Sequence, residues 1–63
     1  MQYLIAMRND SDKLVYYKHF DGRKGCACGK SQAPRFPKVT ADAIVGQLAA
    51  LDNRGWHVVE DAV

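Results

Sequence analysis

The chain has 63 residues, of which 48% are hydrophobic, and a formal net charge of +2 at pH 7. This length allows one small domain over residues 1–63, in which a single core seldom contributes more than about 3–5 kcal/mol and leaves little room for a deep, dry pocket. The apolar content is typical of a globular protein rather than a disordered one. No run approaches the roughly 20 apolar residues that a membrane span needs.

The first apolar stretch does not predict a secreted protein. Residues 2–7 are too short for the hydrophobic region of a signal peptide, and charged residues follow them closely. We therefore expect a cytoplasmic protein without membrane contact, in which Cys26 and Cys28 are reduced thiols. A disulfide between two residues so close in sequence would also be strained.

Two strands are expected in the first third of the chain. Residues 2–8 have apolar side chains on both faces, which favours a central strand. Residues 13–20 contain strong β formers such as Tyr16 and Tyr17, and the turn formers of residues 9–12 predict that the two strands make an antiparallel hairpin. Which of the two tyrosines faces the core stays open, because a slip of one residue exchanges them.

Residues 21–35 are interpreted as an irregular basic loop that contains glycines and both cysteines. The glycines interrupt regular structure, and Pro34 and Pro37 close the segment. Two alternatives remain open, a short third strand around residues 26–28 or a loop without any regular element. Long loops of the second kind are often functional.

Residues 40–52 predict the single helix. Thr40 is a suitable N-cap, because its hydroxyl can accept a hydrogen bond from an unpaired backbone N–H. Val39 and Ile44 stand where a hydrophobic staple would place them. Asp42 would lie in the first turn and complement the positive end of the helix.

Apolar side chains recur along this helix at a spacing that gives it one buried face. Ile44, Leu48 and Leu51 follow one another at intervals of four and three residues. Gly55 suits the left-handed conformation that often follows a helix. Residues 56–60 then predict a last strand.

These elements predict an α+β fold with the order β-β-(β)-α-β. An antiparallel sheet of three to four strands would carry the helix on one face. The predicted core residues are Tyr3, Ile5, Met7, Val15, Tyr17, Phe36, Ile44, Leu48, Leu51, Trp56 and Val58.

The chain resembles very short ββαβ-type proteins that are encoded by bacteriophages and other mobile elements. The features that carry the resemblance are a hairpin near the first Met, the entry Ala33-Pro34-Arg35-Phe36, an Ala-rich helix through Ala43, Ile44 and Leu48, and the ending Val58-Val59-Glu60. The resemblance implies a role in host takeover, or in the inhibition of a bacterial defence system by binding. It implies no catalytic residue.

Positive charge is concentrated in one part of the chain. Residues 18–38 carry six lysines and arginines against Asp21 alone, whereas residues 39–63 carry four acidic residues against Arg54 alone. Such asymmetry bears on partners and association rates rather than on fold. The predicted partner-binding residues are Tyr16, Lys18, Arg23, Lys24, Lys30 and Arg35.

We predict a non-enzymatic binding protein that needs no cofactor. An acidic protein surface is the preferred partner, because Arg and Tyr are frequent in binding hot spots and complementary charge speeds encounter. The alternative is a nucleic-acid-binding module that uses the same basic and aromatic segment. A homodimer through a sheet edge or an exposed helix stripe is a further expectation.

Two chemical sites are weaker alternatives. His19, Cys26, Cys28 and His57 are residue types that bind zinc, but the C-x-C spacing and the scattered histidines do not fit a structural zinc site. The same cysteines have positive neighbours that could make them reactive. Because no base and oxyanion site are indicated beside them, we expect surface thiols without a catalytic role.

Overall fold

A computed structural model describes residues 2–61 of the chain. Four strands form one antiparallel sheet in the order β3-β2-β1-β4, and one α-helix packs on one face of this sheet. This arrangement confirms the predicted α+β class. The elements in chain order are β1 (Tyr3–Arg8), β2 (Leu14–Phe20), β3 (Gly25–Cys28), a 3₁₀ turn (Lys30–Gln32), α1 (Lys38–Leu51) and β4 (His57–Glu60).

The predicted hairpin forms between β1 and β2, and the chain reverses through a turn held by Asn9. Its side-chain carbonyl accepts hydrogen bonds of 3.0 Å from the backbone N–H groups of Ser11 and Lys13. Asp12 takes the left-handed conformation, with φ of 60°. Because β2 and β4 both pair with β1, the prediction of a central first strand is confirmed.

The alternation of side chains gives the sheet two different faces. The face that we call the helix face packs under α1 and contains Ile5, Met7 and Tyr17, whereas Leu4 and Ala6 point to the opposite, helix-free face. Leu4 and Ala6 are also buried, so β1 is covered on both sides. Of the two tyrosines that the sequence left open, Tyr17 is the buried one.

A bulge changes the alternation in β2. Tyr17 pairs with Ala27 and His19 pairs with Cys26, so one extra residue of β2 lies between these pairs. Phe20 is thereby brought onto the helix face and packs against the core, while His19 turns to the helix-free face. The segment 21–35 contains β3 and the 3₁₀ turn, so of its two alternatives the structure forms the short strand.

All the predicted core residues except Leu51 are buried or pack against the buried cluster, and the prediction for Leu51 is wrong. Its side chain is 62% exposed, because it occupies the last position of α1, beside a groove that no other described element covers. The fully buried helix residues are Ala41 and Leu48, which lie two turns apart. Leu4 and Ala6 are buried without having been predicted as core.

The predicted start of the helix is also wrong. The helix begins at Lys38 with Pro37 as the N-cap residue, and no side chain caps it. Pro37 has the φ of −61° that its ring imposes, so the chain enters the helix two residues before Thr40. Val39 is 76% exposed and forms no staple, and Asp42 pairs with Lys38 one turn back at 3.1 Å.

Within the described residues, no helix is long and apolar enough to cross a membrane.

Replacing Gly46 with alanine should stabilise the fold by about 1 kcal/mol. Gly46 is exposed in the middle of α1, and an added Cβ meets no atom within 4 Å. Alanine lowers the entropy of the unfolded chain without cost to packing. A urea denaturation curve checks this, and an unchanged or lower midpoint would contradict it.

Candidate functional site

The turn between β2 and β3 is held together by Asp21. Its side-chain oxygen accepts hydrogen bonds of 2.9 Å from the backbone N–H groups of Arg23 and Lys24, and Gly22 takes a φ of 96°. These backbone hydrogen bonds hold the pKa of Asp21 below its usual value. The acid therefore organises the backbone, and the side chains of Arg23 and Lys24 are exposed at the tip.

Most of the positive charge without an ion pair lies on this hairpin and its continuation. Over residues 2–61, four of the nine lysines and arginines form ion pairs with acids of the same chain: Arg8, Arg35, Lys38 and Arg54. Within the described part of the chain, the cations outside these pairs are Lys13, Lys18, Arg23, Lys24 and Lys30. All but Lys13 lie in residues 18–30, which we call the basic hairpin.

The basic hairpin is built on the edge strand β3. Arg23 and Lys24 precede this strand, Lys30 follows it, and Lys18 lies in the neighbouring strand at the bulge. The four side chains are exposed. Arg23 and Lys24 therefore lie at one end of this four-residue strand, and Lys30 lies just beyond its other end.

Arg35, which the sequence placed among the binding residues, is engaged within the chain. Its Nε donates to Asp61 at 3.0 Å, and its NH1 group donates to the carbonyls of Ala33 and Lys30 at 2.7 and 3.2 Å. The guanidinium thus ties the segment before the helix to the residue after β4. This contact neutralises one charge of the predicted patch.

Tyr16 lies on the helix-free face and is half-buried. It stands in a row of cross-strand partners that runs Cys28, Tyr16, Ala6 and His57 from β3 to β4. The other aromatic side chains near the basic hairpin belong to the core: Tyr17 is buried, and Phe20 packs against it.

The four zinc candidates share the helix-free face but not one site. His19 is the cross-strand partner of Cys26, and Cys28 lies two residues further along β3. His57 is on β4, separated from β3 by two strands. Over residues 2–61, no three side chains of the metal-binding types come together as a metal site.

A buried hydrogen-bonded cluster at the start of β3, which we call the Asp52–Arg54 lock, was missed by sequence reasoning. The Asp52 carboxylate accepts hydrogen bonds from the Gly25 N–H at 2.8 Å and the Trp56 indole N–H at 3.1 Å. It also accepts two bonds from the Arg54 guanidinium, whose NH2 group in turn donates to the Gly25 carbonyl at 2.8 Å. Arg54 with these other donors holds the pKa of Asp52 far below its usual value.

This lock joins the end of the helix to the start of β3. In sequence, Asp52 and Arg54 are two charged residues in a connection, and Gly25 is 27 positions away from Asp52. Nothing in their local pattern distinguishes them from solvated side chains. The lock fixes the strand on which the basic hairpin is built.

An open cleft of about 310 Å³ lies beside Arg54, lined also by Met7, Arg8, Asn9 and Asp10. It contains charges of both signs and neither a cysteine nor a histidine. Its lining therefore offers no thiol or imidazole for covalent or acid–base chemistry.

Comparison with known protein families, with curated proteins and with solved structures finds no match for this chain.

Proposed function

We propose that this chain is a small non-enzymatic protein that binds an acidic protein surface through the basic hairpin. The observation that carries the proposal is the distribution of cations without an ion pair. Lys18, Arg23, Lys24 and Lys30 gather on one hairpin, while acids of the same chain neutralise most cations elsewhere. A chain that needed its charges only for solubility would have no reason to separate them in this way.

The hairpin is also prepared for binding by its own internal contacts. Asp21 fixes the tip, and the Asp52–Arg54 lock fixes the first residue of β3. A surface that is ordered before it meets its partner loses less conformational entropy on binding. Exposed cations on such a support speed encounter with an acidic surface and set its orientation.

A protein partner is favoured over a nucleic acid by the position of the aromatic side chains. Stacking on bases requires exposed rings, and Tyr17 and Phe20 are committed to the core. Tyr16 alone of the three is available as an aromatic contact beside the cations. We therefore keep Tyr16 with the four free cations as the proposed binding residues and assign Arg35 to the support of the preceding loop.

The resemblance to phage and mobile-element proteins suggests the kind of partner. Under the proposal the chain acts in the cytoplasm of a bacterium and inhibits a host protein by covering an acidic part of its surface. Such an inhibitor needs no cofactor and no reacting group.

Reversing the hairpin charges should weaken partner binding at least about tenfold while the fold is kept. The variant combines Arg23→Glu, Lys24→Glu and Lys30→Glu, because these three side chains form no hydrogen bond or ion pair with the described residues. Lys24→Glu and Lys13→Glu form a matched pair. Both lysines are exposed and have no ion pair among the described residues, but only Lys24 is on the basic hairpin. The measurement is capture from nuclease-treated bacterial lysate, quantified by mass spectrometry.

The expected partner is retained by the parent and Lys13→Glu proteins and lost by the triple variant. Equal retention by the triple variant would show that another surface binds. A separate titration with duplex and single-stranded DNA measures the alternative function. Tight binding that falls steeply with salt would contradict the proposal and favour the nucleic-acid alternative.

A further inference from the structure

The two edges of the sheet differ in how their outward backbone groups are used. In antiparallel strands alternate residues direct their N–H and C=O groups to one neighbour and then to the other side. The hydrogen bond from Asp21 N–H to Lys24 C=O fixes this alternation for β3. The backbone N–H and C=O groups of Gly25 and Ala27 therefore point away from β2. For β4 the hydrogen bond from Asp61 N–H to Gln2 C=O fixes the alternation. The backbone N–H and C=O groups of Val58 and Glu60 therefore point away from β1.

The edge at β3 is partly closed by the chain itself. Asp52 accepts from the outward N–H of Gly25, and Arg54 donates to its outward C=O. Only the N–H and C=O of Ala27 remain available along this strand. A covered edge of this kind prevents another strand from pairing with it.

The edge at β4 has no such cover within residues 2–61. No described group hydrogen-bonds with the outward N–H and C=O of Val58 or Glu60. Four backbone groups in a row therefore face outward on a strand that is otherwise regular. Such an edge is a template for a further strand.

We infer that β4 pairs antiparallel with β4 of a second copy of this chain, so that two sheets join into one of eight strands. A register that pairs Val58 with Glu60 of the second copy uses all four outward groups of each strand. It also keeps the two Glu60 side chains from facing each other. Like charges in facing positions destabilise a strand pair.

This register places the two Val59 side chains opposite each other on the two-fold axis. They lie on the helix-free face, in a pair that is not hydrogen-bonded, where facing side chains come closest. The contact is apolar and self-complementary. The pairing lies at the sheet edge opposite to the basic hairpin, so it leaves the proposed partner surface accessible and does not depend on it.

Glu60→Pro tests the pairing, because proline removes an outward N–H while the bonds to β1 stay intact. We expect the parent chain to show a monomer–dimer equilibrium in sedimentation experiments between micromolar and millimolar concentration, and Glu60→Pro to weaken it about tenfold or more. Glu60→Ala keeps the N–H and controls for the lost carboxylate. Ala27→Pro removes the outward N–H of the other edge, and both controls should associate as the parent does.

A second measurement does not require a variant. In an equimolar mixture of ¹³C-labelled and unlabelled chain, the register predicts an intermolecular contact between Val59 methyl groups. A parent chain that stays monomeric at millimolar concentration would overturn the inference, as would an association abolished by Ala27→Pro and unchanged by Glu60→Pro. Dimerisation retained by the triple charge variant separates this inference from the proposed function.

Discussion

Replacing Asp52 with alanine is expected to destabilise the fold by about 3 kcal/mol, a large part of what a chain of this size can supply. The carboxylate is buried and accepts from Gly25, Trp56 and Arg54. Without it, two buried N–H groups lose their acceptor and the guanidinium loses its counter-charge. Urea denaturation followed by circular dichroism gives the free energy of unfolding.

Asp42→Ala is the matched control for this substitution. Asp42 also pairs with a cation, Lys38, but both side chains are more than half exposed, so its loss should cost no more than about 0.5 kcal/mol. Equal losses for the two variants would show that the lock contributes no more than a surface ion pair.

The lock should also make stability depend on acidity. Because the pKa of Asp52 in the folded chain lies well below its usual 3.8, the carboxylate stabilises the fold above about pH 4. This stabilisation declines as the pH falls from that value toward the folded-state pKa. Asp52→Asn, which cannot ionise, should therefore lose less stability than the parent between about pH 4 and pH 2. Parallel curves for the two proteins would exclude this role.

Gly25→Val is expected to cost about 2–3 kcal/mol. A Cβ at this position would stand 3.0 Å from the Trp56 ring and 3.1 Å from the Tyr17 ring. These rings meet edge to face, with centroids 5.8 Å apart, and both are buried, so neither can withdraw without opening the core. The strand would also move away from Asp52, which weakens the lock. Thermal unfolding measures the loss.

Gly29→Ala serves as the control for the glycine at the other end of β3. An added Cβ there meets nothing within 4 Å, and the backbone is extended, with φ of −75°. Its melting temperature should stay close to that of the parent. If Gly25→Val melted at the same temperature as well, the close approach of β3 to Trp56 would have no energetic importance.

The candidate site shows how far local charge predicts a surface. The prediction for Arg23, Lys24 and Lys30 needed only the composition of residues 18–38. In the structure these cations are exposed and form no ion pair with an acid of residues 2–61. For Arg35 the same reasoning could not succeed. Its partner Asp61 is 26 residues away, and only the pairing of β4 with β1 brings the two together.

The core was predictable where periodicity alone decides burial. The period of two in β1 and the apolar spacing of the helix identified Ile5, Met7 and Leu48 as core residues, and all three are buried. Leu51 follows the same spacing but lies where the helix extends past the elements that could cover it. Burial at an element's end depends on the length of its neighbours, which its own sequence does not contain.

By itself, the sequence determined the order of the first two strands, the helix and the last strand, the first hairpin and the part of the chain with excess positive charge. These follow from alternation, turn residues and composition, which act over a few neighbouring positions. Three features became clear only from the tertiary structure: the Asp52–Arg54 lock, the faces of the sheet that His19 and Phe20 occupy after the bulge in β2, and the difference between the partly closed edge at β3 and the open edge at β4. Each of these features depends on contacts between backbone groups or charges of different elements. Such contacts cannot be predicted from the pattern of neighbouring residues in the sequence.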